Sequence, residues 1–186
     1  MSIWGGITGG LLGFVVLGPI GALVGSVIGS NISSRSKRRR PNNFDQQVAF
    51  FAALFACLAK IAKADGRVDV AEIQKIEEII SSKLNLNKEH RNFAINIFQK
   101  AKDDNVSFEA YASNLYQILS LSPNSLLVFY EMLFELALAD GILHPNEDAL
   151  LKKIPSIFRF DEKVYKSLYE KFVDKTNDYF KTLGVD

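Results

Sequence analysis

Four carboxylates stand at matched places in two copies of one short phrase, and a fifth lies within the first copy. Residues 64–72 read ADGRVDVAE and residues 139–147 read ADGILHPNE. Both fit Ala-Asp-Gly-x-(Val/Leu)-x-x-x-Glu, and the copies lie 75 residues apart. Carboxylate oxygens gathered on adjoining turns are ligands for a hard divalent cation. Asp65, Asp69 and Glu72 in the first copy, with Asp140 and Glu147 in the second, are therefore the candidate metal ligands, provided the two turns converge. The same residues have a second chemistry. Asp-Gly can terminate one helix, with the glycine left-handed, and the acid that follows can cap the next. The phrase is then a tight helix-to-helix connection used twice. No cofactor other than a divalent metal ion is implied.

In its second half the phrase resembles a calcium loop of the EF-hand type, with Asp65, Gly66 and Glu72 on loop positions five, six and twelve. Positions one and three of such a loop must also supply oxygen. They are Ile61 and Lys63 in the first copy, and Leu136 and Leu138 in the second, so the EF-hand reading fails. Other chemistry is sparse. Cys57 stands in an apolar run and reads as a small buried hydrophobe. His90 lies in a polar stretch. His144-Pro145-Asn146 differs in its third residue from the His-Pro-Asp tripeptide of J-domain co-chaperones. No nucleophile–base pair suggests itself, so the chain is expected not to be an enzyme.

The elements that must position these residues read as helices almost throughout. Phe51, Leu54, Phe55, Leu58 and Ile61 recur at steps of three and four, the signature of a buried helix face. Gly66 is placed to end that helix, and Asp69 with Glu72 forms a capping box for another running through Ile73, Ile76, Ile79 and Ile80 to about Leu84. Asn87, Ser107 and Asp161 can cap helices carrying Phe93, Ile97 and Phe98, then Tyr111, Leu115 and Ile118, then Val164, Leu168 and Phe172. The second apolar run begins after Ser122-Pro123 and ends at Asp140-Gly141. Pro145 takes a first helical position, where its missing N–H costs nothing. No alternating strand is evident. The expected fold is all-α, a compact bundle of about seven helices.

Charge is distributed unevenly. The formal net charge is +1, yet residues 1–34 carry no charged side chain and residues 35–40, RSKRRR, carry five positive ones. Residues 41–186 are then net −4, which argues against nucleic acid as a partner. The uncharged stretch is long enough for a membrane helix, which needs about 20 residues. Arg35, Lys37, Arg38, Arg39 and Arg40 follow it and touch anionic lipid headgroups. By the positive-inside rule they leave a short N-terminus outside and the remainder cytoplasmic. Gly5, Gly9 and Gly13, and again Gly21, Gly25 and Gly29, fall four apart. A glycine row lets two helices approach closely, so self-association as a homodimer is expected. Pro19 should kink this helix or mark the crossing.

ADGRVDVAE and LADGILHPNE resemble the paired signatures of the TerB-like domain, an all-helical fold. With the Trp-Gly opening, the arrangement resembles the DjlA branch of membrane-anchored, DnaJ-like co-chaperones. That resemblance implies an N-terminal glycine-rich transmembrane helix in the bacterial inner membrane, a basic stop and a cytoplasmic TerB-like domain. A C-terminal J-domain would then engage a DnaK-type chaperone. Residues 178–185, DYFKTLGV, resemble the opening of a J-domain, but the 186 residues hold no His-Pro-Asp. The expected organisation is an anchor at 1–34, a basic linker at 35–43, a TerB-like domain at 44–175 and an incomplete J-domain-like start at 176–186. The expected function is the anchored regulatory or scaffold portion of such a co-chaperone, unable by itself to stimulate a DnaK-type ATPase. A stand-alone metal-binding or metal-stress protein of the TerB kind is the alternative.

Overall fold

The computed structural model describes residues 18–28, 43–65, 88–138 and 141–174. Every regular element among them is helical. In chain order they are α1 (Pro19–Ile28), α2 (Asn43–Ala62), α3 (Lys88–Asp103), α4 (Phe108–Leu119), α5 (Pro123–Ala137), α6 (Pro145–Leu151), α7 (Ile154–Phe158) and α8 (Lys163–Tyr169). A 3₁₀ turn, Lys63–Asp65, follows α2, and a π-helical turn, Glu170–Asp174, follows α8. The helix expected over Ile73–Leu84, its Asp69–Glu72 cap and the Asn87 cap lie outside the described residues.

Several ends are fixed by the residues that the sequence singles out. Ser107 caps α4 by accepting from the Ala110 N–H at 3.1 Å. Pro123 opens α5 directly after Ser122. Asp161 receives the Lys163 N–H on its carboxylate at 2.8 Å and the Val164 N–H on its carbonyl at 2.9 Å, starting α8. Gly141, at φ +89, adopts the left-handed conformation that only glycine takes without strain, and its N–H reaches the Leu138 carbonyl at 2.9 Å.

The core is organised around α2. Its residues 52–59 are buried without interruption, from Ala52 through Leu54, Phe55 and Cys57 to Ala59. No single apolar face accounts for that. The helix is enclosed, with α1, α3, α4, α5 and α6 all packed against it. Five alanines on α2 (Ala49, Ala52, Ala53, Ala56 and Ala59) are fully buried, and their small size leaves room for so many neighbours. Aromatic rings fill the remaining volume. Phe129 of α5 packs edge-on against Phe50 at 5.5 Å and tilted against Phe158 at 5.8 Å. Phe134 stacks on Phe172 at 6.2 Å.

The N-terminal apolar stretch contributes to this core. Gly18 bends at φ +132, and Pro19 opens α1 at this point, so within the described residues it starts a helix instead of kinking one. Ile20, Leu23 and Val24 are buried against α2, α3 and α4. Among the described residues no helix is long and apolar enough to cross a membrane. Apolar, uncharged sequence serves a protein interior as well as a bilayer, and Ile20, Leu23 and Val24 of this stretch occupy the interior here.

Candidate functional site

The two copies of the repeated phrase meet. The Asn146 side-chain amide of the second copy donates to the Ala64 carbonyl of the first at 3.3 Å. The 3₁₀ turn carrying Asp65 thus lies against the start of α6. Glu147 is committed locally: its Oε2 accepts the backbone N–H of His144 at 3.1 Å, which caps α6. His144 is the N-cap and Pro145 the first helical residue. The capping chemistry read from the second copy is therefore present in the fold.

Of the candidate ligands, Glu147 is the one whose side chain is described. Asp65 is placed by its backbone alone, and Asp69, Glu72 and Asp140 lie outside the described residues. Among the described residues no three His, Cys, Asp or Glu side chains are grouped to hold a metal ion. Of the glycine row, Gly21 and Gly25 are on α1, and a Cβ added at Gly25 would meet nothing within 4 Å. Gly5, Gly9, Gly13, Gly29 and the basic residues Arg35, Lys37, Arg38, Arg39 and Arg40 lie outside the described residues.

Three polar residues hold this fold together that the sequence reading passed over. Asp104, in the α3–α4 loop, takes the Lys60 ammonium on Oδ1 at 2.8 Å and on its carbonyl at 2.9 Å. It also accepts the Val106 N–H at 2.9 Å and the Tyr111 hydroxyl. Burial, then the hydrogen bond to Asp104, pushes the Tyr111 hydroxyl well above its ordinary range. Asp148, on α6, takes Lys152 at 2.5 Å and the Tyr165 hydroxyl, tying α6 to α8. Asn114 is the buried polar side chain of α4. Its Oδ1 accepts the Ile20 N–H at 3.1 Å, satisfying a free donor at the start of α1. A Cβ on Gly18 would come within 2.5 Å of the Asn114 amide nitrogen, so glycine is required at that bend. The partners in these contacts lie up to 94 residues apart, and no local motif announces them.

A cleft of about 580 Å³ opens between α1 and the α3–α4 loop, bordered by Ser26, Lys100, Asp104 and Tyr111. Several of its polar groups are already engaged. Lys100 donates to the Ser26 carbonyl at 2.6 Å, and Asp104 is held as described. Cys57 is fully buried, and burial raises its thiol far above the range in which a reactive thiolate forms. At the solvent-facing side of α4, Glu109 accepts from Lys153 at 2.5 Å, and that hydrogen bond lowers its carboxyl below the usual value. The arrangement is one of helix fastening and turn-to-turn contact.

An all-helical domain built on paired Ala-Asp-Gly turns is the TerB class of fold. Residues 51–169 match the family described as Tellurite resistance protein TerB, and residues 1–39 match the one described as Co-chaperone DjlA transmembrane domain. Co-chaperone protein DjlA of Coxiella burnetii is 31% identical, aligned over all of this chain and 78% of its own length. The relative of that name in Photobacterium profundum is 32% identical over 87% of this chain, and that in Escherichia coli K12 is 29% identical over 81%. The chain spans 62% and 57% of the length of those two relatives. No solved structure matches it. This chain belongs to the DjlA family of co-chaperones, with a TerB domain behind the family's transmembrane region.

Proposed function

We propose that these 186 residues form the membrane-anchored regulatory and scaffold portion of a DjlA-like co-chaperone. The observation that carries this reading is the order of its parts. A DjlA transmembrane region at 1–39 is followed by a TerB domain at 51–169 and then by DYFKTLGV at 178–185. The apolar segment anchors the chain in the inner membrane, with Arg35–Arg40 on the cytoplasmic side. The glycine row pairs two copies. The TerB bundle presents its surface to a partner, and a J-domain joined after it recruits a DnaK-type chaperone. With no His-Pro-Asp among them, these residues alone leave the chaperone's ATPase at its basal rate. That rate is measured with the reconstituted chain, with and without a J-domain fused after Asp186. Stimulation by the unfused chain overturns the reading. Pairing is tested in a membrane two-hybrid assay with Gly9, Gly13, Gly21 and Gly25 replaced by Leu, and unchanged self-association removes that part.

The contact between Asn146 and Ala64 supports a second reading. It joins one residue of each copy, and on this reading Asp65, Asp69, Glu72, Asp140 and Glu147 share a divalent cation. Calorimetry with calcium, magnesium and zinc tests it. Heat of binding that Asp65→Asn with Asp140→Asn abolishes favours a metal-binding role, and no heat leaves the turns structural.

A further inference from the structure

Helix α1 is fastened at both ends by side chains from far along the chain. At its start, Asn114 Oδ1 of α4 accepts the Ile20 N–H at 3.1 Å. At its end, the Lys100 ammonium of α3 donates to the Ser26 carbonyl at 2.6 Å. First-turn N–H groups and last-turn carbonyls are the groups that a helix cannot pair by itself. Between the two fastenings Ile20, Leu23 and Val24 are buried against α2, α3 and α4. Before them Gly18 bends beneath Asn114, where no Cβ fits. A helix of ten residues is marginal alone in water, so the bundle supplies what holds this one.

The same residues belong to the uncharged stretch 1–34, from which the membrane span must be drawn. A helix needs about 20 residues to cross a hydrocarbon core of about 30 Å. With α1 in the bundle, the apolar run left before Gly18 is 3–17, which is 15 residues or roughly 22 Å of helix. Residues 29–34 add only six on the other side. Neither piece reaches across, and the Gly18 bend at φ +132 stops α1 from joining the first of them in one helix. Nor can the bundle carry α1 into lipid. Lys100, Asp103 and Asp104 stand beside it around the cleft, and charged groups in hydrocarbon are costly. Docking of α1 and spanning by the stretch that contains it therefore exclude each other.

We propose that Pro19–Ile28 is a detachable strap with two exclusive places. It is docked in the bundle while the chain is free of a membrane, and it is withdrawn into the span when the chain is anchored. In the docked place the bundle keeps the second half of an apolar segment out of water. Withdrawal breaks the Asn114 and Lys100 fastenings, opens a groove between α2, α3 and α4, and transfers Ile20, Leu23 and Val24 from one apolar surrounding to another. Because one segment serves both places, the two equilibria are linked. Whatever tightens docking weakens anchoring by the same factor.

The inference rests on the anchored reading above, and the experiment separates the two. The full chain carrying Ser26→Cys and Gln99→Cys is made by cell-free synthesis without lipid. Both positions are exposed and border the cleft, one from α1 and one from α3. Cys57 is buried, and wild type serves as the unreacted blank. A flexible bismaleimide with a reducible link ties the two helices together. Vesicles of phosphatidylethanolamine and phosphatidylglycerol are then added, and resistance to alkaline extraction after flotation reports spanning. The tied chain should give several-fold less resistant protein than the untied chain, and reduction of the link should restore it. Chains that have already spanned should cross-link several-fold less. Equal insertion of tied and untied chains, a block that survives reduction, or no cross-linking before vesicles are added overturns the inference and leaves anchoring intact. Failure of the untied chain and of wild type to become resistant overturns both.

Discussion

The helices that lead into the two copies of the repeated phrase, α2 and α5, keep the same register and live in different surroundings. Positions 75 residues apart pair as Leu54 with Phe129, Phe55 with Tyr130, Leu58 with Leu133, Ala59 with Phe134, and Ile61 with Leu136, and every one is buried. The inward stripe is therefore shared. The outward positions are not. Where α2 has Ala52 and Ala53, both sealed from solvent, α5 has Leu127 and Val128, both exposed. One repeat unit is the axle of the bundle, and the other is its wall. Large side chains on the axle would keep neighbours away, so alanine is placed there. On the wall the same positions are released from packing and can serve contact with something outside the bundle.

The comparison is broken most severely at the inward stripe. Phe129→Ala should cost about 3–5 kcal/mol, because the ring is fully buried between Phe50 and Phe158 and the hole cannot close without moving both. Urea unfolding of the full chain in detergent measures it. A loss under 1 kcal/mol would mean that α5 is not packed as described. Next in size is Ala53→Val, which puts the α5 residue into the matching place on α2. With no free surface at Ala53, the added methyl groups force neighbours apart, and about 1–3 kcal/mol of destabilisation is expected.

The sequence showed the inward stripe of α2 plainly, since Leu54, Phe55, Leu58 and Ile61 are large and regularly spaced. It did not show that α2 is enclosed. Alanine carries little hydrophobic signal, and a helix buried on every side has no amphipathic contrast to read. The segment Pro19–Ile28 reads two ways for a related reason, because an uncharged apolar run suits a core as well as a bilayer. At the candidate site, Glu147 and Pro145 were legible because capping is local. Asp104, Asn114 and Asp148 were not, because their partners Lys60, Ile20 and Tyr165 come from distant elements that only the folded chain brings together.

Phe55 and Tyr130 differ by one hydroxyl, and that hydroxyl gives an intermediate effect with a pH signature. It donates to the Leu151 carbonyl at 2.8 Å in a buried setting. Tyr130→Phe should cost about 1 kcal/mol at neutral pH. Burial first, then the charges of Tyr165 and Asp148, raises the Tyr130 hydroxyl far above its usual 10.0. The unfolded chain releases this proton near pH 10 and the folded one retains it. The Tyr130 contribution is thus complete below about pH 10 and is lost as pH rises further, because the unfolded state then binds fewer protons. Wild-type stability should fall more steeply above pH 10 than that of Tyr130→Phe, as read by denaturant midpoints across an alkaline series. Equal slopes would remove Tyr130 as a source of the alkaline loss.

The smallest effect belongs to Val128→Ala, the exchange that gives the wall the residue of the axle. Val128 is nearly half exposed and on the outer side of α5, so the truncation removes little packed surface, and alanine favours helix more than valine does. Unfolding in detergent should change by no more than about 0.5 kcal/mol. Paired with Ala53→Val, the result gives the asymmetry a sign: the same two residue types, exchanged at equivalent places, should destabilise α2 and leave α5 nearly untouched. A Val128→Ala loss as large as that of Ala53→Val would show that the outer side of α5 is packed in the folded protein, and the distinction between axle and wall would fail.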